Sequence, residues 1–309
     1  MTIHTSRRAV VHAFAMLGAA AVVFGVARVG AQDATPSAGA PLTDRPFAIS
    51  AIPDQDAAVL NRQFGAMADY LAAKTGMTVE YVPMVDYAAL VTAFERGDIQ
   101  LAWFGGLTGV QAVAVVPDAR AIAQRPRDAE FTSRFIAGID VEADALEDLR
   151  GLSFTFGSES STSGHLMPRH FLTEAGIGPE ADFDGLPNYS GSHDKTIALV
   201  ESGAYQAGAL NEAVWEARVE DGQVDLTKVK EIYRTPPYFD YHWTIRPDVD
   251  EIWGAGMAER VEAALLGMSA DDPAEAEILD LFQTDEFIET ENGNYDTIRQ
   301  VAEDLGILR

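Results

Sequence analysis

Cysteine is absent from all 309 residues of the chain, and this absence removes two kinds of feature. No disulfide can cross-link the fold, so its stability must come from buried apolar surface, which 47% hydrophobic residues can supply. A lipid anchor attached to an N-terminal cysteine is excluded as well. We therefore expect a protein that is not a lipoprotein.

Basic residues are scarce, since 22 Lys and Arg stand against 48 Asp and Glu, a net charge of −26. The first 31 positions contain Arg7, Arg8 and Arg28 and no acidic residue. A chain cleaved after Ala31 would keep 22 − 3 = 19 basic residues and carry a charge of −29. Nucleic acid and anionic membrane surfaces would repel such a chain. We expect no nucleic-acid partner, and any bound anion must be held by local dipoles.

Known motifs of metal, nucleotide or nucleophile chemistry are also absent. The six histidines form no H-E-x-x-H pattern, and no Walker or dinucleotide glycine motif occurs. Ser163, His193 and Asp194 contain the atoms of a nucleophilic triad, but the G-x-S-x-G elbow is missing. We expect no cofactor, no metal site and no catalysis, with a serine hydrolase as the enzyme alternative.

The N-terminal segment, residues 1–31, has the pattern of an export signal. Arg7 and Arg8 precede an apolar stretch over 9–26, and small residues follow for cleavage. The arginine pair indicates the twin-arginine route, and retention as a membrane anchor is the alternative. Residues 32–45 are predicted to be a flexible leader. We expect an exported protein, periplasmic or on the extracellular face of the membrane.

Strand-like and helix-like segments alternate from Phe47 onward, which predicts an α/β fold with mostly parallel strands and helices on both faces. Asp86 is a plausible N-cap of one helix, and Gly76 is expected to end another. Further helices are predicted in the acidic stretch near 140–149 and over 250–268.

Two α/β series, a crossing at Pro236-Pro237 and a helical tail predict a bilobed chain. The first lobe would comprise 46–139 and take back 241–309, while 140–240 would form the second lobe. The chain would thus cross between the lobes twice.

Four consecutive hydroxyl residues, Ser160-Ser161-Thr162-Ser163, separate a predicted strand at Phe154 from a helix that begins near Gly164. The first turn of a helix has unpaired N–H groups and a partial positive charge. Hydroxyls around such a turn can bind an anion without Lys or Arg. The ordinary alternative is that Ser161 or Thr162 only caps the helix. Because four hydroxyls exceed what one cap requires, we interpret the stretch as an oxyanion site.

The carboxyl ends of the strands supply further candidates, because ligands of open α/β folds bind there. The rule selects Pro53-Asp54-Gln55, Tyr87, Trp103-Phe104-Gly105, His193 and Asn211. Most have an ordinary structural alternative: the aromatic residues can belong to the core, and His193 can cap a helix or lie at the surface. We interpret Tyr241-His242-Trp243 as packing between the lobes.

These residues also carry a family resemblance. Ser161-Thr162-Ser163-Gly164, Ser190-Gly191-Ser192-His193-Asp194 and Asp86-Tyr87 resemble motifs of the phosphate, phosphite and phosphonate type of ABC-importer substrate-binding proteins. The segments 51–56 and 101–107 resemble a subgroup described as selenate-binding. The resemblance implies a type II periplasmic-binding-protein fold, with two open mixed sheets, helices on both faces and a two-segment hinge.

For function, the resemblance implies an extracytoplasmic binding protein that captures a tetrahedral oxyanion and delivers it to an ABC permease. We expect this protein to be a monomer. Coupling to a membrane sensor is the alternative output. The implied oxyanion ligands are Ser161, Thr162 and Ser163, with Tyr87 and His193. Strand ends add Phe104, Gly105, Ser160 and Asn211 to the candidate set.

Asn211 occupies the position that we match to an acidic residue of phosphonate-binding relatives. An amide donates N–H groups to a fully ionised oxyanion, whereas a carboxylate would repel it. We therefore expect a preference for a proton-free dianion, selenate or sulfate, over phosphonate or phosphite. The neighbouring Glu212 would undo this argument if its side chain pointed into the cleft.

Overall fold

The structure is a computed structural model that describes residues 42–308. The predicted export signal and positions 32–41 of the predicted leader lie outside the described residues. Within residues 42–308, two mixed β-sheets are flanked by helices, which confirms the α/β class. None of the helices in this range is long and apolar enough to cross a membrane.

The first sheet contains six strands within the described range, in the order β11-β4-β10-β3-β1-β2. Strands β1, β2 and β3 run parallel, while β10 is antiparallel to both β3 and β4. The bounds of these strands are β1 (Phe47–Ala51), β2 (Val79–Tyr81), β3 (Leu101–Phe104), β4 (Arg120–Gln124), β10 (His242–Ile245) and β11 (Ile288–Glu289).

The second sheet contains five strands within the described range, in the order β7-β6-β8-β5-β9. Strand β6 is parallel to β7 and β8, and β5 is antiparallel to β8 and β9. The bounds are β5 (Ser133–Gly138), β6 (Phe154–Phe156), β7 (Asn188–Tyr189), β8 (Ala207–Asn211) and β9 (Val229–Arg234).

The α-helices alternate with these strands and cover the faces of the sheets. Their bounds are α1 (Ala57–Thr75), α2 (Tyr87–Arg96), α3 (Gly106–Val115), α4 (Met167–Glu174), α5 (Pro179–Asp182), α6 (His193–Glu201), α7 (Glu212–Glu220), α8 (Val249–Trp253), α9 (Met257–Leu266), α10 (Pro273–Leu281) and α11 (Asp296–Asp304).

Local capping sets several helix ends. The Asp86 carboxylate accepts the Ala89 N–H at 2.7 Å, so the predicted N-cap of α2 is confirmed. Gly76 ends α1 with a φ of 74°, a left-handed conformation that costs glycine little. Gly254 and Gly256 have φ values of 116° and 78° and divide the predicted helix over 250–268 into α8 and α9.

The acidic stretch near 140–149 forms less helix than predicted, with a 3₁₀ turn at Leu146–Leu149. The Asp148 carboxylate accepts the backbone N–H groups of Asp144 and Ala145, at 3.0 and 3.1 Å. An Asp that binds backbone donors ahead of it favours a cap over a continuous helix, because those N–H groups are withdrawn from helical pairing.

Alternating side chains give the second sheet a core on each face. Phe135 and Ala137 pack with Phe154 and Phe156, while Ile136 packs on the opposite face with residues such as Leu210. This alternation is the period of two expected of a strand covered on both sides. The first sheet has its own large core, in which the Trp243 ring is fully buried.

The chain passes between the sheets through 125–132 and again through 235–241. Phe131 and Tyr238 exchange two backbone hydrogen bonds of 2.9 Å, and the Asp240 N–H donates to the Asp128 carbonyl at 2.9 Å. The predicted boundary between 139 and 140 is wrong with respect to strand pairing, because β5 pairs with β8 and β9 in the second sheet. The apolar pattern of β5 predicts a strand, but it does not show which of the two sheets that strand joins.

Gly109 of α3 lies where the helix meets the β10 strand. A β-carbon at this position would overlap the His242 imidazole. That ring is buried and packs against Tyr295 in a tilted arrangement, with 3.9 Å between centroids. Its Nδ1 lies 2.9 Å from the Asp240 carbonyl oxygen. Gly109→Ala should therefore lower the free energy of unfolding by about 1–3 kcal/mol, the usual cost of overpacking, as measured by urea titration.

Gly65→Ala is the matched control, because Gly65 lies inside α1 and a β-carbon there meets nothing within 4 Å. Alanine is the better helix former, so this variant should be neutral or more stable by about 0.5–1 kcal/mol. Equal destabilisation of both variants would contradict the packing argument.

Candidate functional site

The hydroxyl stretch follows β6 and leads into α4 through a π-helical turn at Thr162–Leu166. Ser161 caps this turn, since its Oγ accepts the Gly164 N–H at 2.9 Å. The capping alternative thus describes Ser161, but it leaves the next two hydroxyls for other contacts. Thr162 Oγ1 accepts the Leu107 N–H, at the start of α3, at 2.9 Å. The turn therefore reaches from the second sheet to a helix of the first.

Ser163 lies deeper in the turn, and Ser160 lies at its rim. The Ser163 carbonyl accepts the Ser133 hydroxyl at 2.8 Å, which ties the turn to the amino end of β5. Ser160 is half-buried, and its N–H faces the Ser158 hydroxyl at 3.4 Å. We call Ser160–Ser163 the hydroxyl turn.

Glycines let this turn approach its neighbours closely. A β-carbon on Gly164 would lie 3.0 Å from a carbon of the His193 ring, and one on Gly105 would lie 3.1 Å from both Thr162 Oγ1 and Asp240 Oδ1. Gly105, a candidate from the strand-end rule, is therefore at the contact between α3 and the hydroxyl turn. A larger residue at Gly105 would push α3 away from the hydroxyl turn, and one at Gly164 would push the turn away from α6.

His193 begins α6, and its imidazole is fully buried. Its backbone N–H donates to the Asp54 carbonyl at 2.9 Å, a contact with the loop after β1. Nδ1 accepts the Asn211 N–H at 3.3 Å, and because a backbone N–H can only donate, the neutral ring carries its proton on Nε2. Burial lowers the pKa of His193 to about 4, so this Nε2–H is a neutral donor near pH 7.

Asn211 is the N-cap of α7 rather than a free pair of amide donors. Its Oδ1 accepts the Val214 N–H at 2.7 Å, and its Nδ2 donates to the Tyr241 hydroxyl at 2.7 Å. Since that hydroxyl accepts from Asn211, its own proton goes to Asp54 Oδ2, at 2.9 Å. The His193 Nε2 lies 3.4 Å from the same hydroxyl.

Tyr241 and Asp54 are candidate site residues that our sequence reasoning undervalued. Tyr241, interpreted as packing, places its hydroxyl among three candidate polar groups. Burial raises the pKa of Asp54 to about 6, although the Tyr241 hydrogen bond and the charge of Arg125 oppose the rise. Asp54 follows the end of a strand, so the strand-end rule selected it. Tyr241 precedes its strand, so the rule did not select it.

Asp240 was missed altogether, and it alters the chemistry of the site. Its Oδ1 accepts the Gly106 N–H at 2.9 Å, while its Oδ2 is buried without a hydrogen-bond partner. Burial raises the pKa of Asp240 to about 7, against smaller lowering effects of the Gly106 N–H and of the Thr162 and Ser163 side chains. A carboxyl group poised between its two protonation states therefore lies beside the hydroxyl turn.

The expected preference for a proton-free dianion was drawn from the amide at Asn211 and did not take Asp240 into account. An amide at Asn211 does not leave the site without an acid, because Asp240 enters from the second crossing. Glu212 is the neighbouring acid that would have undone the argument if it pointed into the cleft. It accepts the Thr132 hydroxyl at 2.6 Å and pairs with Arg134 at 3.4 Å.

Tyr87 and Phe104 differ in their surroundings. The Tyr87 hydroxyl is buried without a hydrogen-bond partner, and burial together with the charge of Asp54 raises the pKa of Tyr87 well above its ordinary value. Phe104 is fully buried and packs edge-to-face on Phe94, with 5.4 Å between centroids. Tyr87 thus has an available donor, whereas Phe104 has an ordinary core contact.

The triad needed for a serine hydrolase is not assembled. Asp194 accepts the Ser192 hydroxyl at 2.6 Å and lies 3.6 Å from Arg218, while the His193 Nδ1 is engaged by the Asn211 N–H. An orienting acid on Nδ1 is what such chemistry requires. Within residues 42–308, no group of three or more His, Asp or Glu side chains is arranged to hold a metal ion.

Comparison with known proteins adds independent evidence. The family model for the periplasmic substrate-binding protein of phosphonate ABC transporters matches residues 49–295. The probable ABC transporter phosphite binding protein PhnD1 of Prochlorococcus marinus strain MIT 9301 is 38% identical over 267 residues, which are 84% of this chain and 90% of the relative.

Solved structures show the same similarity. The structure of PhnD1 from Prochlorococcus marinus in complex with methylphosphonate has a TM-score of 0.84 and 37% identity, covering 86% of this chain and 100% of that one. A binding protein component of a phosphonate ABC transporter from Pseudomonas aeruginosa has a TM-score of 0.75 at 19% identity, covering 85% and 86%, and supports the fold alone.

The raised pKa of Asp240 predicts how stability depends on pH. The unfolded chain releases this proton near the ordinary value of 3.8, whereas the folded chain keeps it to about pH 7. The folded state therefore binds more protons between these values, and its stability falls as the pH rises through them. Asp240→Asn removes this loss. Its free energy of unfolding relative to that of the wild type should rise by on the order of 2–4 kcal/mol between about pH 4 and 7 and then level off. Urea titrations across this pH range measure the difference.

Asp69→Asn serves as the control because Asp69 is exposed on α1. Its stability relative to the wild type should not vary over the same pH range. A flat difference for Asp240→Asn would show that the buried carboxyl does not bind a proton preferentially in the folded chain.

Proposed function

Because the chain belongs to the family of periplasmic substrate-binding proteins of phosphonate ABC transporters, we propose that it captures phosphite or a small phosphonate between its two sheets and delivers it to a membrane permease. Family membership gives a periplasmic location and a transport role, as for relatives that are binding components rather than enzymes. Export through the twin-arginine route and a monomeric state remain predictions.

The observation that carries the choice of anion is the Asp240 carboxyl beside the hydroxyl turn. Phosphite and phosphonates can keep an O–H proton near neutral pH, as phosphate esters with a second pKa of about 6 do. When Asp240 is ionised, its carboxylate accepts a hydrogen bond from that O–H. Selenate and sulfate have acceptors only, so an ionised Asp240 repels them. This argument replaces the preference that we drew from Asn211.

The remaining contacts would come from neutral donors. The hydroxyls of Thr162, Ser163 and Tyr87, the Nε2–H of His193 and the N–H groups of the turn can converge on the anion's oxygens. Such donors are effective in a cleft with little water, since the local dielectric constant is low there. Their contacts span both sheets, so ligand binding would stabilise a closed arrangement about the two crossings.

A ligand panel tests the proposed function. Phosphite and methylphosphonate at about 100 times Kd should raise the melting temperature by roughly 5–10 °C, because selective binding to the folded state adds about 2.7 kcal/mol. Selenate and sulfate should give little or no shift. Asp240→Asn should reverse this order of ligands, because a neutral amide does not repel a dianion and can donate a hydrogen bond to it.

The exposed-site variant Asp69→Asn should behave like the wild type in this panel. A shift of the wild-type protein with selenate or sulfate alone would contradict the proposed function. If Asp240→Asn binds phosphite with the same anion preference as the wild type, the proposed role of Asp240 is contradicted.

Thr162→Val tests the hydroxyl turn with a side chain of the same shape. Removal of one hydrogen bond to a charged ligand should weaken phosphite binding about 10- to 100-fold, measured by calorimetry. Thr173→Val is the control, because Thr173 lies on α4 and donates only to the Arg169 carbonyl, at 2.8 Å. Equal affinities of the wild type and Thr162→Val would remove this residue from the proposed site.

A further inference from the structure

The hydroxyl turn runs into the π-helical segment Thr162–Leu166, which continues as α4. The Leu166 N–H donates to the Ser161 carbonyl at 3.0 Å, a span of five residues instead of the four of an α-helix. Such π turns are rare and occur frequently at functional sites. Because this segment carries Thr162 and Ser163 of the candidate site, the contacts that hold its shape bear on ligand binding.

His165 lies inside the π-helical segment, and its ring turns back toward the chain ahead of the hydroxyl turn. Its Nδ1 lies 2.6 Å from the Glu159 carbonyl oxygen, and its Nε2 accepts the Arg169 Nε–H at 2.8 Å. Burial lowers the pKa of His165 to about 4, so the ring is neutral near pH 7. Because a guanidinium can only donate, the single ring proton is on Nδ1. This Nδ1–H therefore donates to the carbonyl of Glu159, the residue directly before Ser160.

Arg169 is itself held in a fixed position. Its Nη1 pairs with Glu180 at 2.7 Å, and its Nη2 donates to the Tyr189 hydroxyl at 3.0 Å. Its guanidinium lies 5.2 Å from the centroid of the Phe156 ring. The His165 ring packs edge-to-face against Phe156 and Tyr189, with 5.0 Å between centroids in each pair. The direction of the His165 Nδ1–H is therefore set by contacts on all of these sides.

We propose that His165 is a positioning residue, which fixes the hydroxyl turn in its anion-binding form through the Glu159 carbonyl. This inference rests on the proposed function and adds a residue that acts on the anion only through its neighbours. Neither ring nitrogen is free to contact an anion, because one is engaged by Glu159 and the other by Arg169. A turn that is already ordered loses little conformational freedom when the ligand binds, and this preorganisation raises the affinity.

The test compares two amide substitutions by calorimetry with phosphite. The amide of His165→Asn lies as far along the side chain as Nδ1 does, so it can still donate to the Glu159 carbonyl. The amide of His165→Gln lies one bond further, at the position of Nε2, and leaves that carbonyl without its donor. The phosphite affinity should stay within about 2-fold of the wild type in His165→Asn and fall about 5- to 10-fold in His165→Gln, the effect of one hydrogen bond.

The melting temperature without ligand distinguishes positioning from packing. Both substitutions remove the imidazole, so both should melt below the wild type. His165→Gln keeps an acceptor for the Arg169 Nε–H, so it should be at least as stable as His165→Asn while binding phosphite more weakly. If His165 only packed, the affinities would be equal or would follow the order of the stabilities, and either result would overturn the inference.

His170→Asn is the control, because His170 lies on α4, is half-buried and lies 3.6 Å from Glu174. It should bind phosphite like the wild type. A loss of affinity equal to that of His165→Gln would show that any change on α4 weakens binding, which contradicts a specific role of His165.

Nitrogen-15 NMR of the wild type gives a second measurement that does not depend on the folding of a variant. The His165 ring should be protonated on Nδ1 at pH 7. A ring protonated on Nε2 would overturn the inference, because it could not donate to the Glu159 carbonyl. Circular dichroism shows whether both amide variants fold, and if either does not, this tautomer decides.

The outcomes also separate the two proposals. A wild type that binds neither phosphite nor methylphosphonate contradicts the proposed function and this inference with it. A wild type that binds phosphite, together with equal affinities in folded His165→Asn and His165→Gln, contradicts the positioning role alone.

Discussion

The hydrogen bond from the Gly106 N–H to the Asp240 carboxyl joins three parts of the molecule. Gly106 begins α3 beside the first sheet, Asp240 belongs to the second crossing, and the same carboxyl lies beside the hydroxyl turn of the second sheet. A buried carboxyl is costly unless it is hydrogen-bonded or protonated. Its partners therefore have to stay where they are, and the position of the crossing relative to both sheets follows from them.

A second constraint is charge, because an anion has to be held by a chain with a net charge of −26. Arg125, the cation next to Tyr241, is already paired with Asp128 through contacts of 2.7 and 2.6 Å, so its charge is largely neutralised. Neutral hydroxyl, imidazole and backbone donors avoid a second buried cation that would itself need a counter-charge. The hydroxyl turn, His193 and Tyr87 are residues of this neutral kind.

Much of this arrangement could be predicted from the sequence, and the misses share one physical cause. Local patterns determined the Asp86 cap, the Gly76 helix end and the hydroxyl turn, since each depends on residues within one turn of the chain. The strand-end rule assumes parallel strands, but β10 is antiparallel to β3, so its amino end lies at the edge where ligands bind. Tyr241 and Asp240 precede β10, so the rule did not select them as ligand candidates. The long-range contact of Asp240 with Gly106 leaves no local pattern in the sequence.

The pairing of β5 with β9 has a consequence for folding order. Residues 133–234 interrupt the first sheet as an insertion between β4 and β10, which are themselves paired. An unfolded insertion would oppose that pairing through the entropy of closing a long loop. Because the first and last strands of the insertion are neighbours, its own folding brings its two ends together. The second sheet can thus form as a unit, after which only a short loop has to close for β4 to pair with β10. This favours folding of the inserted half before the first sheet.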